Sequence, residues 1–241
     1  MLESYIQSDT VGKLVFIGLG LLSSISWTLM IYKMLYIRSI SKSANKLQKE
    51  FEGLQEHPLN LEVSETLEKD KEYNPFKYLY MIFKEQSLKR LKKNHHFLQI
   101  ETGLQESSQH VYLSPTDIDY IEACLATEIG NQTHDLEKDL IALSITITLA
   151  PFLGLLGTVW GILMTFSELQ TKSGGGNEAV LAGISMALGT TVVGLVVAIP
   201  ALIGYSYFRG AIQSLEVKMD NFVTQMISAI EMQYRKVDSI K

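Results

Sequence analysis

Three stretches of this chain, Leu14–Tyr32, Leu140–Ser167 and Ala179–Phe208, contain no charged residue. No other feature limits the possible folds as tightly. A helix needs roughly 20 apolar residues to cross the hydrocarbon of a bilayer, and all three stretches qualify. At about 1.5 Å per residue the second and third would run to about 42 and 45 Å. That exceeds a hydrocarbon core of about 30 Å, so their ends should project into water. The overall composition, 46% hydrophobic with a net charge of −5, would suit a soluble protein. It is the segregation of charge that decides. Three buried helices of a soluble α-domain are the alternative, and the rest of the chain has nothing with which to cover them.

The first stretch reads as a retained anchor. The preceding MLESYIQSDTVGK is not basic, the apolar run is longer than a signal h-region, and no A-x-A-like site follows it. Basic residues close to the membrane set orientation. Lys33, Arg38, Lys42, Lys46 and Lys49 follow the first stretch, whereas Lys13 alone precedes it. Arg209 and Lys218 follow the third, and the loop ELQTKSGGGNE between the second and third carries only Lys172. The expected layout is residues 1–13 outside, a first span at 14–37 and a cytoplasmic helical insertion at 38–139. A second span at 140–167, an outside hairpin at 168–178, a third span at 179–208 and a cytoplasmic helix at 209–241 complete it.

Helical signals dominate the insertion. Asn74-Pro75 offers a cap and a first-turn proline before FKYLYMIFKEQSLKRLKK, whose apolar residues recur at helical spacing. Ser114-Pro115 repeats the device, with Asp117 placed as in a capping box. No strong stop follows until Pro151, so the pattern allows one long helix running from there into the second span. The charge runs EKDKE and KRLKK read as solvated faces, and Cys124 as a small apolar residue with no disulfide framework. At the C-terminal end, Ile212, Leu215, Met219, Phe222, Val223, Met226 and Ile230 form one stripe. It is a helix-packing face, against the chain itself or against copies of it.

Motifs for catalysis are missing. There is no Walker A loop, no dinucleotide fingerprint, no nucleophile elbow and no metal-ligand cluster. His95 and His96 are adjacent, so on a helix they point about 100° apart and cannot share a metal. SGGGNE joins two spans and reads as a hairpin. No cofactor, metal or nucleic-acid partner is expected, and an enzymatic reading has no residue to rest on.

The second and third spans are unusual for lipid-facing helices. Gly154, Gly157 and Gly161 in one, with Gly183, Ala187, Gly189, Gly194 and Ala198 in the other, remove side-chain bulk and let backbones approach. Pro151 and Pro200 should kink their helices at the cost of one hydrogen bond each. Packing alone accounts for the glycines. It accounts less well for Thr158, Thr190 and Thr191, although threonine can bond back to its own helix. Two kinked, glycine-lined, threonine-bearing helices suit the wall of a bundle lumen.

APFLGLLGTVWGI followed by GISMALGTTVVGLVVAIPALIGY resembles the MotA/TolQ/ExbB proton-channel family, and within it the TolQ/ExbB branch. The resemblance covers residues 140–208, and GTVWGI and SWTLMIYK lean toward TolQ. It implies an all-α polytopic protein of the bacterial inner membrane: three transmembrane helices with long cytoplasmic helical extensions, an N-terminus in the periplasm, a C-terminus in the cytoplasm and a homopentameric ring. It further implies a TolR/ExbD-like single-span partner supplying a membrane aspartate, a TolA/TonB-like third protein, and drive by the proton motive force. The family's two lumen threonines fall on Thr158 and Thr191. One position departs: where the family has GIAEAL, this chain has GISMAL, with Met186 in place of the glutamate. Spans two and three then hold no charged group, so a proton-carrying carboxylate must come from the partner. The rival readings are a MotA-like flagellar stator ring, which would have four spans, and a non-conducting structural scaffold.

Overall fold

The computed structural model describes residues 10–53, 58–59, 74–102, 112–171 and 177–234. Five helices account for nearly all of them: α1 Thr10–Glu52, α2 Pro75–Thr102, α3 Pro115–Glu137, α4 Leu140–Thr171 and α5 Asn177–Tyr234. No sheet forms among the described residues, and the all-α expectation holds. α1, α4 over Leu140–Ser167 and α5 over Gly183–Tyr234 are each long and apolar enough to cross a membrane. The glycine-rich hairpin at 172–176, the charge run at 68–72 and both chain ends lie outside the described residues. The chain divides into two compact units, Met1–Leu35 with Glu137–Gly210 and Tyr36–Leu136 with Ala211–Lys241.

In the first unit the charge-free parts of α1, α4 and α5 meet along small side chains. Val15 and Leu19 of α1 are buried with Ala150 of α4 and Ala198 of α5, and Leu22, Leu153, Val193 and Val197 close around them. The bulky residues point the other way: Phe152 is 68% exposed, Ile203 65% and Leu21 60%. A soluble domain does not display such a belt, because continuous apolar surface of this kind needs lipid or another protein against it. The reading as buried helices of a soluble domain is therefore discarded. α4 and α5 continue through Pro151 and Pro200, which lie inside them. Each proline leaves one carbonyl without its helical N–H, a loss that close neighbours make tolerable in a membrane helix.

The second unit gathers the lower part of α1, α2, α3 and the end of α5. The C-terminal stripe from Ile212 to Ile230 is buried at all seven of its positions, so this chain covers that face itself. Phe222 meets Phe51 edge-on at 5.6 Å and Phe76 at 6.0 Å. Both caps form as the sequence indicates. Phe76 N–H donates to Asn74 Oδ1 at 3.0 Å. Asp117 N–H donates to Ser114 Oγ, and Ser114 N–H to Asp117 Oδ2, both at 3.2 Å, which is a capping box.

One expectation fails. No single helix runs from Pro115 into the second span: α3 ends at Glu137 and α4 begins at Leu140, with a turn at Lys138–Asp139. Asp139 stands just before the first residue of α4, where aspartate is favoured. Its carboxylate accepts a hydrogen bond from Lys33 Nζ at 2.8 Å. Lys33 is itself 2% exposed, not a charge at the surface. A buried ammonium needs such a partner, and the turn brings it within reach.

Candidate functional site

The site grows from the crossing of α4 and α5. Ala150, Gly154, Gly157, Gly161 and Thr165 recur on α4 at steps of three and four, and Gly183, Ala187, Thr190 and Gly194 do so on α5. Such steps keep residues on one helix face. The two faces meet at backbone distance. A Cβ on Gly154 would lie 3.0 Å from Thr190 O and from Thr191 Cα, and one on Gly194 2.6 Å from Ala150 O. At Gly157 it would lie 2.6 Å from Thr190 Oγ1, at Gly161 2.8 Å from Ala187 Cβ, and at Gly183 it would run into Thr165. Gly189 differs, since a Cβ there meets nothing within 4 Å.

This approach brings three hydroxyls to one carbonyl. Thr158 Oγ1 donates to Gly154 O at 3.0 Å, Thr191 Oγ1 is placed to donate to it at 3.1 Å, and Thr190 Oγ1 at 3.0 Å. Thr158 and Thr191 also share a hydrogen bond with each other, in which either hydroxyl can donate. Thr190 has a second acceptor, Ala187 O at 2.7 Å. Thr158 and Thr190 are buried and Thr191 half-buried. Thr146 and Thr165 of α4 make the same back-bond, to Ala142 O and Gly161 O of their own helix, and Thr158 adds to it the bond to Thr191. The motif pointed to Thr158 and Thr191 but not to Thr190 as a member of the cluster. Its spacing from Ala187 and Gly194 along the packed face was the available signal.

The cluster can donate and accept hydrogen bonds but cannot hold a charge. No charged residue occurs in Leu140–Ser167 or Ala179–Phe208, and Met186 is half-buried where an acid could have stood. No set of residues able to hold a metal ion occurs among those described. His95 and His96 are exposed on α2, and Cys124 is a half-buried free thiol on α3.

The sequence model of the MotA/TolQ/ExbB proton channel family matches residues 90–221, more than half of the chain. A biopolymer transport protein ExbB of Helicobacter pylori is 43% identical over 72 residues, which are 30% of this chain and 50% of that protein. ExbB of Xanthomonas campestris pv. campestris is 31% identical over 104 residues, 43% of this chain and 41% of the relative. The Tol-Pal system protein TolQ of Pseudomonas aeruginosa is 35% identical over 95 residues, 39% of this chain and 41% of the relative. The chain spans about half the length, or less, of these curated relatives.

Proposed function

This chain belongs to the MotA/TolQ/ExbB proton channel family, and on that premise we propose that it is the inner-membrane ring subunit of a proton-motive-force-driven motor of TolQ/ExbB type. Similarity to proteins named ExbB and TolQ supports that branch. In this reading five copies surround a TolR/ExbD-like single-span protein whose membrane aspartate carries the proton, and a TolA/TonB-like protein takes the work to the outer membrane. The N-terminus is periplasmic and the C-terminus cytoplasmic.

The observation that carries the reading is the Thr158–Thr191 pair, bonded across two helices in a wall without charge. A carboxyl group facing such a wall is pushed toward its neutral form by desolvation and toward its ionised form by hydroxyl donors. A hydroxyl can also accept from the neutral acid, so the pair serves both states. Each proton crossing is driven by about 2.3 kcal/mol per 100 mV. That suffices to step a partner between equivalent positions of a ring.

Both hydroxyls also reach Gly154 O inside the chain, and this favours the rival of a non-conducting scaffold held together by threonine packing. Thr158→Val and Thr191→Val separate the two, since they preserve shape and delete the hydroxyl. Loss of a hydrogen bond to an ionised partner costs about 1.5–3 kcal/mol, or roughly 10- to 150-fold in rate. The expected result is an assembled, normally abundant complex with proton flux reduced by that factor, and substantial rescue by Thr158→Ser and Thr191→Ser. Full proton-dependent activity in both valine variants would mean that the threonines only pack, whereas a parent complex without proton flux would leave the scaffold.

A further inference from the structure

Thr190 lies beside the proposed proton-handling pair, and the alternative acceptor of its hydroxyl is a second carbonyl instead of another hydroxyl. In α4 the Gly154 carbonyl already receives the N–H of Thr158, four residues on. A carbonyl has two lone pairs, so one remains. Three hydroxyls stand within 3.1 Å of it. Each has a single proton to give. When Thr190 donates to Ala187 O, one member of the Thr158–Thr191 pair serves Gly154 and the other donates to its neighbour. Every hydroxyl proton is then spent inside the chain. When Thr190 turns to Gly154 O, the pair keeps its mutual bond and one hydroxyl proton is released for an acceptor outside it.

We infer that Thr190 is a positioning residue: its hydroxyl replaces the pair at Gly154 O whenever Thr158 or Thr191 turns to donate to an ionised carboxylate. This rests on the reading of that pair as the wall met by a partner's carboxyl group. No covalent bond is made or broken, and the three hydroxyl protons are conserved by rotation about Cβ–Oγ1. What Thr190 gives up is a back-bond within its own helix, to a carbonyl that keeps its helical N–H, and such bonds are close to neutral. What it maintains is a bond between α4 and α5 where their backbones meet. Without it, two hydroxyl protons would face three acceptors, and engaging the carboxylate would cost either the Thr158–Thr191 bond or the second bond at Gly154 O. The packed spans present no other charge to the cluster, since Leu14–Tyr32, Leu140–Ser167 and Ala179–Phe208 have none. The nearest titratable residue on α5 is Glu178, about 18 Å from Thr190 along the helix, with Tyr205 about 22 Å in the other direction. On α4 it is Glu168, about 15 Å from Thr158.

The test reads proton flux against pH. Lipid vesicles containing the complex, as it co-purifies with its small single-span protein, are loaded with a pH-sensitive dye. Thr190→Val weakens the carboxylate-engaged state alone, so the pH profile of flux should move upward by roughly half to one pH unit. Thr190→Ser should retain the parent profile. Thr190→Ala, too small to overfill the space against Gly157, should shift as valine does, so the contrast survives if valine assembles poorly. A merely structural residue would change the amount of assembled complex, or scale flux equally at every pH, without moving the profile. An unshifted profile in the valine and alanine variants overturns the inference. Thr158→Val and Thr191→Val in the same vesicles keep the two failures apart. If those conduct fully, the reading of the site falls. If they are blocked while the Thr190 profile is unmoved, only the role of Thr190 falls.

Discussion

At the scale of single residues, the glycines of α4 and α5 divide into two groups that the sequence alone does not distinguish. Gly194 faces the carbonyl of Ala150, a backbone atom that cannot rotate away. An added methyl must therefore push the helices apart. Overpacking of this kind typically costs about 1–3 kcal/mol. Gly194→Ala is accordingly expected to lower the stability of the first unit by that amount in denaturant titrations in detergent. Gly189 carries the same residue type at a similar depth, yet its missing Cβ faces open space. Gly189→Ala should fall within about 0.5 kcal/mol of the parent in the same titration. If Gly189→Ala instead leaves stability unchanged but lowers the mass of the intact assembly, that glycine packs between chains. Equal stability of Gly194→Ala and the parent would mean that the crossing is looser than its distances indicate.

At the scale of elements, what was legible in the sequence was local, and what was not depended on distant partners. The caps at Asn74 and Ser114–Asp117 were readable because every participant lies within three residues. The break between α3 and α4 was not, because the lysine that holds Asp139 is 106 residues away in sequence. Thr158 and Thr191 stood out through their motif, but their mutual bond joins positions 33 apart and appears only when the helices cross. The capping box also gives α3 a pH dependence. Burial pushes the Asp117 carboxyl up, but hydrogen bonds from Asn94 and Ser114, with the charge of Arg90, outweigh it and hold its pKa below the ordinary 3.8. A pKa depressed by folding contributes stability that is present above the unfolded value and is lost as pH falls through the folded one. Asp117→Asn should thus destabilise the second unit by about 0.5–2 kcal/mol at neutral pH. The gap between variant and parent should close below about pH 4, near the unfolded value of an aspartate. Thermal unfolding of both proteins from pH 7 to pH 3 measures it, and a gap that persists in acid would assign the loss to shape instead of charge.

At the scale of the whole molecule, orientation rests on the balance of basic residues, and the structure changes which of them count. Lys33 is buried and paired with Asp139, so it adds little to the charge at the membrane edge. Arg38, Lys42, Lys46 and Lys49 remain exposed on the same side, against Lys13 on the other. Arg209, also exposed, follows the third span. Lysine and arginine near the ends of spans are retained on the cytoplasmic side. Removing Lys33 from the count therefore does not change the expectation of an N-terminus outside. Single-cysteine labelling in cells with a permeabilised outer membrane tests this directly. On a Cys124→Ser background, Ser173→Cys should react with a membrane-impermeant maleimide while the inner membrane is intact, and the parent Cys124 only after that membrane is opened and the protein unfolded. Lys33→Met should leave both patterns unchanged, because it removes a buried partner and not a surface charge. Reaction of Ser173→Cys only after opening would invert the topology and place the α4–α5 loop in the cytoplasm.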